Sequence, residues 1–107
     1  MPRAKFQTLT EQMFYVLLCL REECCGIDIL DRVPVMTGGR VHVGSGTLYD
    51  LLEQFVQEGA IRETRAEGRR RSYIITEKGQ QMLDQEYARL LSQAADYDRV
   101  LGKGGPS

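Results

Sequence analysis

The sequence contains few of the residues from which catalytic and metal sites are built. It has a single histidine, His42, and three cysteines, and no Cys or carboxylate cluster with metal-ligand spacing surrounds that histidine. Neither a Gly-x-Gly-x-x-Gly motif nor a P-loop occurs. No serine or cysteine has a plausible base partner other than His42. We therefore expect no enzyme activity, no metal site and no cofactor, and we interpret His42 as a solvated loop residue.

Long apolar runs are also missing, because no stretch approaches the roughly 20 residues that a membrane-spanning helix needs. Residues 14–20 are apolar, but Glu11 and Gln12 precede them and charged residues follow, unlike the core of a signal peptide. This pattern predicts no membrane partner and, by default, a cytoplasmic location.

Cysteine is scarce, and its pattern is a poor disulfide framework. Cys24 and Cys25 are adjacent and Cys19 makes the number odd, which suits a reducing compartment. Cys19 lies in an apolar helical segment and is predicted to be in the core, whereas the pair lies at a helix end, a position that permits exposure. A redox sensor is one interpretation of the pair, but most such thiols are inert, and we favour the inert alternative.

An overall excess of positive charge is absent as well, with 14 basic and 15 acidic residues among 107. This balance argues against a generic nucleic-acid coat, so a nucleic-acid site must be a local patch. Residues 61–73 form such a patch, with five arginines and two glutamates, a net charge of +3. Residues 82–101 carry four acidic and two basic residues, a net charge of −2. Charge is therefore segregated along a chain long enough for one modest domain.

The rest of the chain is organised around residues 43–59, which predict an amphipathic helix. Ser45 is placed to cap its start, and Gly59 suits the left-handed position after its end. Residues 40–43 alternate polar and apolar, as a short extended piece does before a helix. Apolar residues within the helix recur at the helical period and form one buried stripe: Leu48, Leu51, Leu52, Phe55 and Val56.

The opposite face of this helix carries hydroxyl residues near its N-terminus. A short helix of this kind can enter the DNA major groove end-on, so that its amide-rich end meets phosphate. We predict that Ser45, Thr47 and Tyr49 contact the DNA backbone or base edges. Asp50 and Glu53 cannot face phosphate, so they point away from it or accept a hydrogen bond from cytosine.

Two short strands are predicted after this helix, at residues 61–66 and 73–75, since both are rich in Ile, Thr and Tyr. A helix followed by a β-hairpin with an arginine-rich tip is the outline of a winged helix-turn-helix. The alternative is an ordinary amphipathic helix and hairpin in another small α+β domain. In the first interpretation, Arg69, Arg70 and Arg71 hold flanking phosphates or probe the minor groove.

Two further helices are predicted before the central one. Thr8 or Thr10 can cap the first, and Gly26 is expected to end it. The second begins near Ile27. Pro34 lies inside its apolar pattern, where a proline removes a hydrogen bond and clashes with the preceding turn. We therefore expect this helix to kink or end early.

A last helix is predicted over residues 77–101, capped by Thr76 and about 37 Å long at 1.5 Å per residue. Its apolar residues are spaced alternately four and three apart, the pattern of a coiled-coil seam: Leu83, Tyr87, Leu90, Ala94, Tyr97 and Leu101. Such a helix can fold back on its own domain. We favour pairing with a second copy of the chain, because an exposed stripe of this length is an aggregation liability.

Four segments together resemble the PadR-like transcriptional regulators, over about residues 9–101. They are Gly26-Ile-Asp-Ile-Leu30, Gly44-Ser-Gly-Thr-Leu-Tyr49, Glu58-Gly-Ala-Ile61 and Arg71-Ser-Tyr-Ile-Ile-Thr-Glu-Lys-Gly79. The resemblance implies a homodimeric winged-helix repressor of the short subfamily, in which a single C-terminal helix mediates dimerisation. The chain departs from the family in having Pro34 in its second helix. It also has no tryptophan, whereas some short members stack flat drugs between tryptophans at the dimer interface.

The sequence therefore predicts a mostly α fold with a small β-hairpin. Residues 1–76 are expected to form a winged helix-turn-helix domain, residues 77–101 a dimerisation helix and residues 102–107 a flexible tail. The predicted function is a DNA-binding transcriptional regulator, a homodimeric repressor that binds a double-stranded operator. A small apolar inducer is predicted to act in a gap lined by Met82, Tyr87 and Tyr97. The alternative is a winged helix used only for protein interaction, which the acidic balance favours slightly and the arginine wing opposes.

Overall fold

The computed structural model describes residues 8–68 and 70–102. Three antiparallel strands form one sheet in the order β1-β3-β2. Four helices and this small sheet confirm the predicted winged-helix fold class. The elements in chain order are α1 (Glu11–Cys19), β1 (Cys24–Cys25), α2 (Gly26–Met36), α3 (Ser45–Glu58), β2 (Ile61–Glu67), β3 (Arg70–Ile75) and α4 (Glu77–Val100).

The core lies where α1, α2 and α3 meet, and the sheet and the start of α4 close it. The stripe predicted on α3 is buried except at its edge, where Val56 is exposed. The largest side chains that are almost completely buried come from α1 and its C-cap, α2, α3 and β2: Phe55, Leu17, Leu20, Ile29, Leu48, Leu52, Ile61, Val16 and Val33.

The ends of α1 and α3 differ in detail from the prediction. Thr10 caps α1, since its hydroxyl accepts a hydrogen bond from the Met13 amide at 3.1 Å. Gly44, and not Ser45, is the N-cap of α3, because the Leu48 amide already donates to the Gly44 carbonyl at 2.8 Å. Ser45 is therefore the first helical residue. Gly59 ends α3 in the predicted left-handed conformation, with φ of 79°.

The prediction that α1 continues to Gly26 is wrong. The helix ends at Cys19, and the chain then forms β1, in which Cys24 pairs with Tyr73 and Cys25 with Ser72. A two-residue strand is too short to show the alternation from which strands are predicted. Both of its cysteines are buried, so the exposure that the sequence permitted does not occur.

α2 continues through Pro34 to Met36, so the expected early end is also wrong. The proline still removes one helical hydrogen bond, and the helix continues for two residues beyond it despite this loss. The Thr37 hydroxyl stabilises this end by donating to the Val33 carbonyl at 2.9 Å and accepting from the Val41 amide at 3.0 Å. Residues 40–43 form no strand. Their alternation of polar and apolar residues still corresponds to burial, because Val41 is buried.

α4 begins beside the Thr76 cap, whose hydroxyl accepts from the Gly79 amide at 3.2 Å. Gly79, Leu83 and Glu86 are buried, so the first turns of α4 belong to the core of their own chain. Leu83 therefore lies outside the exposed stripe on which the sequence placed it. Within the described residues, no helix is both long and apolar enough to cross a membrane.

Candidate nucleic-acid interface

The N-terminal turn of α3 is exposed and carries the hydroxyl residues that the sequence singled out. Ser45 and Thr47 are exposed, and 51% of the Tyr49 surface is accessible. Gly44 offers no side chain to the first amides of the helix, and no described residue supplies a side-chain cap to α3. Free amides at a helix N-terminus attract phosphate through hydrogen bonds and the helix dipole.

Tyr49 differs from Ser45 and Thr47 because its ring lies against the start of α2. A Cβ atom added at Gly26 would be 2.9 Å from Tyr49 Cε1 and 3.2 Å from its hydroxyl oxygen. The close approach of α2 and the tyrosine ring therefore depends on the missing side chain of Gly26.

The wing is a longer hairpin than the sequence predicted. Glu67 pairs with Arg70 and Ala66 with Arg71, so the two arginines lie within β3 and not in the connecting loop. Arg69 lies outside the described residues. The side chains of Arg70 and Arg71 are both exposed.

A groove of about 350 Å³ connects the start of α2, α3 and the wing. It brings Tyr49 together with Arg70 and Arg71, whereas Ser45 and Thr47 do not line it. Its lining residues are Cys25, Gly26, Ile27, Tyr49, Arg70, Arg71 and Tyr73.

The ion pairs of the wing are weak and exposed. Arg71 lies 3.5 Å from the Glu63 carboxylate, and Arg65 lies 3.8 Å from Glu23. Exposed pairs of this kind contribute about 0–1 kcal/mol, so a phosphate can compete for either guanidinium. The Thr64 hydroxyl donates to Glu23 at 2.6 Å and helps to keep that carboxylate at the root of the wing.

The Cys19 and Cys24 thiols are not poised for reaction. Burial raises the pKa of the Cys24 thiol to about 11 and also raises the pKa of Cys19. The Cys25 thiol donates to the Asp28 carboxylate at 3.2 Å, and this bond lowers the pKa of Asp28. The metal-ligating side chains among the described residues form no group of three or more that could hold a metal ion.

Beyond its first turns, α4 exposes an apolar stripe that includes the remaining predicted dimerisation residues. Tyr87, Leu90, Ala94, Tyr97 and Leu101 are all exposed in the single chain. Leu91 and Val100 extend the exposed apolar surface.

The sequence did not predict the role of Glu86 at the base of this helix. The residue is 4% exposed, and its carboxylate accepts from the Leu9 amide at 3.1 Å and forms an ion pair with Arg89. The hydrogen bond from Arg89 is the main cause that lowers the pKa of Glu86. The i, i+3 spacing of Glu86 and Arg89 was the available signal, but it is equally common on solvated helix faces.

Comparisons with known proteins agree with this architecture. Residues 16–85 match the family model described as the transcriptional regulator PadR-like family. The fold is similar to a transcriptional regulator from Clostridium thermocellum, with a TM-score of 0.69 and 20% identity, covering 88% of this chain and 91% of that one. A comparison with curated protein sequences finds no match.

Two further solved structures share the fold. A PadR family transcriptional regulator from Eggerthella lenta has a TM-score of 0.72 and 21% identity, covering 83% of this chain and 80% of that one. Bacillus subtilis PadR, solved in complex with operator DNA, has a TM-score of 0.61 and 24% identity, covering 68% of this chain and 44% of that one.

Proposed function

We propose a function from the premise that this chain belongs to the transcriptional regulator PadR-like family, a family of DNA-binding regulators without enzymatic activity. In this proposal the chain is a homodimeric repressor that acts in the cytoplasm on a double-stranded DNA operator. Residues 1–76 bind the DNA and residues 77–101 mediate dimerisation.

One observation carries the DNA-binding part of the proposal: an exposed, uncapped helix start lies beside an arginine-bearing wing. Ser45 and Thr47 project from α3 with the freedom to meet base edges in the major groove. Arg70 and Arg71 offer guanidinium groups to the flanking phosphates, and Arg69 is assigned the same role from the sequence. The operator complex of Bacillus subtilis PadR, which shares the fold, supports DNA binding by a chain of this architecture.

The exposed stripe on α4 supports the homodimer. Leu90 and Leu101 gain burial only if another surface covers them, and a second copy of α4 has the same seam. Ala94 at the middle of the stripe permits close approach of two helices. A two-fold dimer places two copies of α3 about one DNA turn apart, as palindromic operators require.

The proposed regulation uses the same helix. Tyr87 and Tyr97 are more than half exposed, and Met82 lies partly buried at the edge of the core. Between two domains these residues would line an apolar gap, in which a small inducer acts by favouring one spacing of the two α3 helices over another.

Binding of duplex DNA at several salt concentrations tests the proposal. DNA from upstream of the chain's own gene, labelled for fluorescence anisotropy, is expected to bind more tightly than a scrambled duplex of equal length. Arg70→Ala is expected to lower affinity for both duplexes and to flatten the salt dependence by about one unit, because one phosphate contact is lost. Lys78→Ala, which removes a charge paired with Glu58 far from the wing tip, is the matched control.

Two outcomes contradict the proposal in different ways. If no duplex, including random-sequence DNA, is bound in a salt-dependent manner, the chain is a protein-interaction module. If DNA is bound but Arg70→Ala leaves both affinity and salt dependence unchanged, DNA binding stands and the wing assignment is wrong. The repressor role is tested separately, by measuring whether the bound site lowers transcription of a downstream reporter.

A further inference from the structure

Three grooves meet at the wing, and their charges differ. The groove between α2, α3 and the wing described above is lined by Arg70 and Arg71 and, among the described residues, by no carboxylate. The groove on the β1 side is lined by two arginines and three carboxylates, and the groove on the outer side of α3 by one arginine and two carboxylates. Only the first of these three described grooves therefore has a charge that favours an anion.

We propose that this groove seats one phosphate of the DNA backbone between Tyr49 and the wing arginines, and that Gly26 is the residue that positions Tyr49 for it. The proposal rests on the DNA-binding function proposed above and assigns separate tasks within it. Tyr49 supplies affinity through the backbone, whereas Ser45 and Thr47, outside the groove, supply the choice of sequence.

The donors that surround the groove suit a phosphodiester. The Tyr49 side chain comes from α3 and the two arginines come from β3, and all three residues line this groove. Arginine binds phosphate oxygens through paired, charge-assisted hydrogen bonds. Ile27 and Tyr73 provide apolar walls, which suit the sugar next to the phosphate. The groove joins α3 to the wing, so a DNA strand bound by both elements would pass along it.

Gly26 determines where the Tyr49 hydroxyl lies. A Cβ atom at residue 26 would be 2.9 Å from Cε1 of the ring, which is closer than Cβ atoms approach their neighbours, and 3.3 Å from Cζ, which is a tight contact. The obstacle is an exposed side chain and not the backbone, so the ring can rotate away into solvent. Gly26→Ala is therefore expected to displace the hydroxyl without disturbing the core. Alanine is also the better helix former, so stability is expected to hold or to rise.

The experiment uses the full chain and two duplexes, one selected from a random library by the wild-type protein and one of mixed random sequence. Tyr49→Phe keeps the ring and removes only the hydroxyl. We expect it to weaken binding of both duplexes about tenfold, the worth of one hydrogen bond to a charged group, and to leave the preference between them unchanged. Gly26→Ala is expected to produce the same loss with an unchanged melting temperature.

A combined variant tests whether Gly26 acts through Tyr49. In the Tyr49→Phe background, Gly26→Ala is expected to cause little further loss, because the hydroxyl that it displaces is already gone. Single methylphosphonate substitutions in the selected duplex locate the phosphate. One position is expected to weaken the wild type and to leave Tyr49→Phe nearly unaffected. Tyr15→Phe, which removes a hydroxyl that accepts from Arg40 and does not line this groove, is the matched control.

The outcomes separate this inference from the function on which it rests. If the wild type selects and binds no duplex, the proposed function is refuted, and the proposed phosphate-binding site in this groove is refuted with it. If DNA is bound but Tyr49→Phe changes the preference between the two duplexes, Tyr49 contacts bases and the proposed phosphate-binding site is refuted. If the losses from Gly26→Ala and Tyr49→Phe are additive, Gly26 does not position Tyr49.

Discussion

Gly79 lies where a single added carbon atom meets the backbone. A Cβ atom there would be 2.1 Å from the Ala60 carbonyl oxygen and 2.7 Å from Ile75 Cγ1. The same Ala60 carbonyl accepts from the Thr76 amide at 2.9 Å, and the Thr76 hydroxyl donates to the Gly59 carbonyl at 2.6 Å. These bonds hold the start of α4 against the end of α3, so neither partner can move without breaking them.

Gly79→Ala is therefore expected to destabilise the fold substantially. Overpacking in a well-packed core costs about 1–3 kcal/mol, and more where the backbone must move. The better helix propensity of alanine offsets about 1 kcal/mol of this. We expect a net loss of about 2 kcal/mol, which lowers the melting temperature of a domain of this size by roughly 10 °C.

Thermal unfolding followed by circular dichroism measures this effect, at one protein concentration because association shifts the midpoint. Gly46→Ala is the matched control, since it is also a helical glycine and an added Cβ there meets nothing within 4 Å. That variant is expected to unfold at or slightly above the wild-type temperature. A Gly79→Ala protein that melts within 2 or 3 °C of the wild type, roughly 0.5 kcal/mol, would show that the close approach is not a real constraint.

Three further predictions concern the DNA surface, the dimer and pH. Thr47→Ala is expected to reduce the preference for the selected duplex while the melting temperature stays near wild type, and a large loss of stability would mean that Thr47 is packed. Leu90→Asp places a charge on the proposed seam, which is costly in an apolar interface. It is expected to give a monomer or an unfolded chain by sedimentation, and a folded dimer that binds DNA would place the interface elsewhere. The pKa of Glu86 is lowered on folding from an ordinary value of 4.5, so its contribution to stability is present above that pH and is lost as the pH falls through the folded pKa. Glu86→Gln is expected to lower stability at pH 7 and to reduce the further loss on acidification; parallel pH profiles would argue against this.

The sequence predicted the features that repeat along the chain. The α3 stripe and the order of helices, hairpin and last helix each involve several residues at a regular period, so no single residue decided them. The family resemblance, which rests on motifs spread over the chain, is confirmed by the match over residues 16–85.

The features that the sequence missed depend on single contacts between distant segments. β1 exists because β3 pairs with it, and its two residues show no period of their own. The Glu86 carboxylate accepts from the Leu9 amide, a contact between distant segments that spacing along α4 cannot reveal. The contact of Tyr49 with Gly26 likewise joins two helices, and only the three-dimensional structure shows it.

A single residue, Thr76, separates the last strand of the wing from α4, and the first turns of α4 are part of the core. The chain therefore has no linker between the part proposed to bind DNA and the part proposed to bind its partner. In the proposed dimer, the angle between two α4 helices sets the distance and the rotation between the two DNA-binding surfaces. Each inserted base pair rotates one half-site relative to the other by about 35°. The separation between half-sites that the dimer can bind would then depend on α4. A chain of this design would come to bind operators with a different half-site separation through changes in α4 rather than in α3.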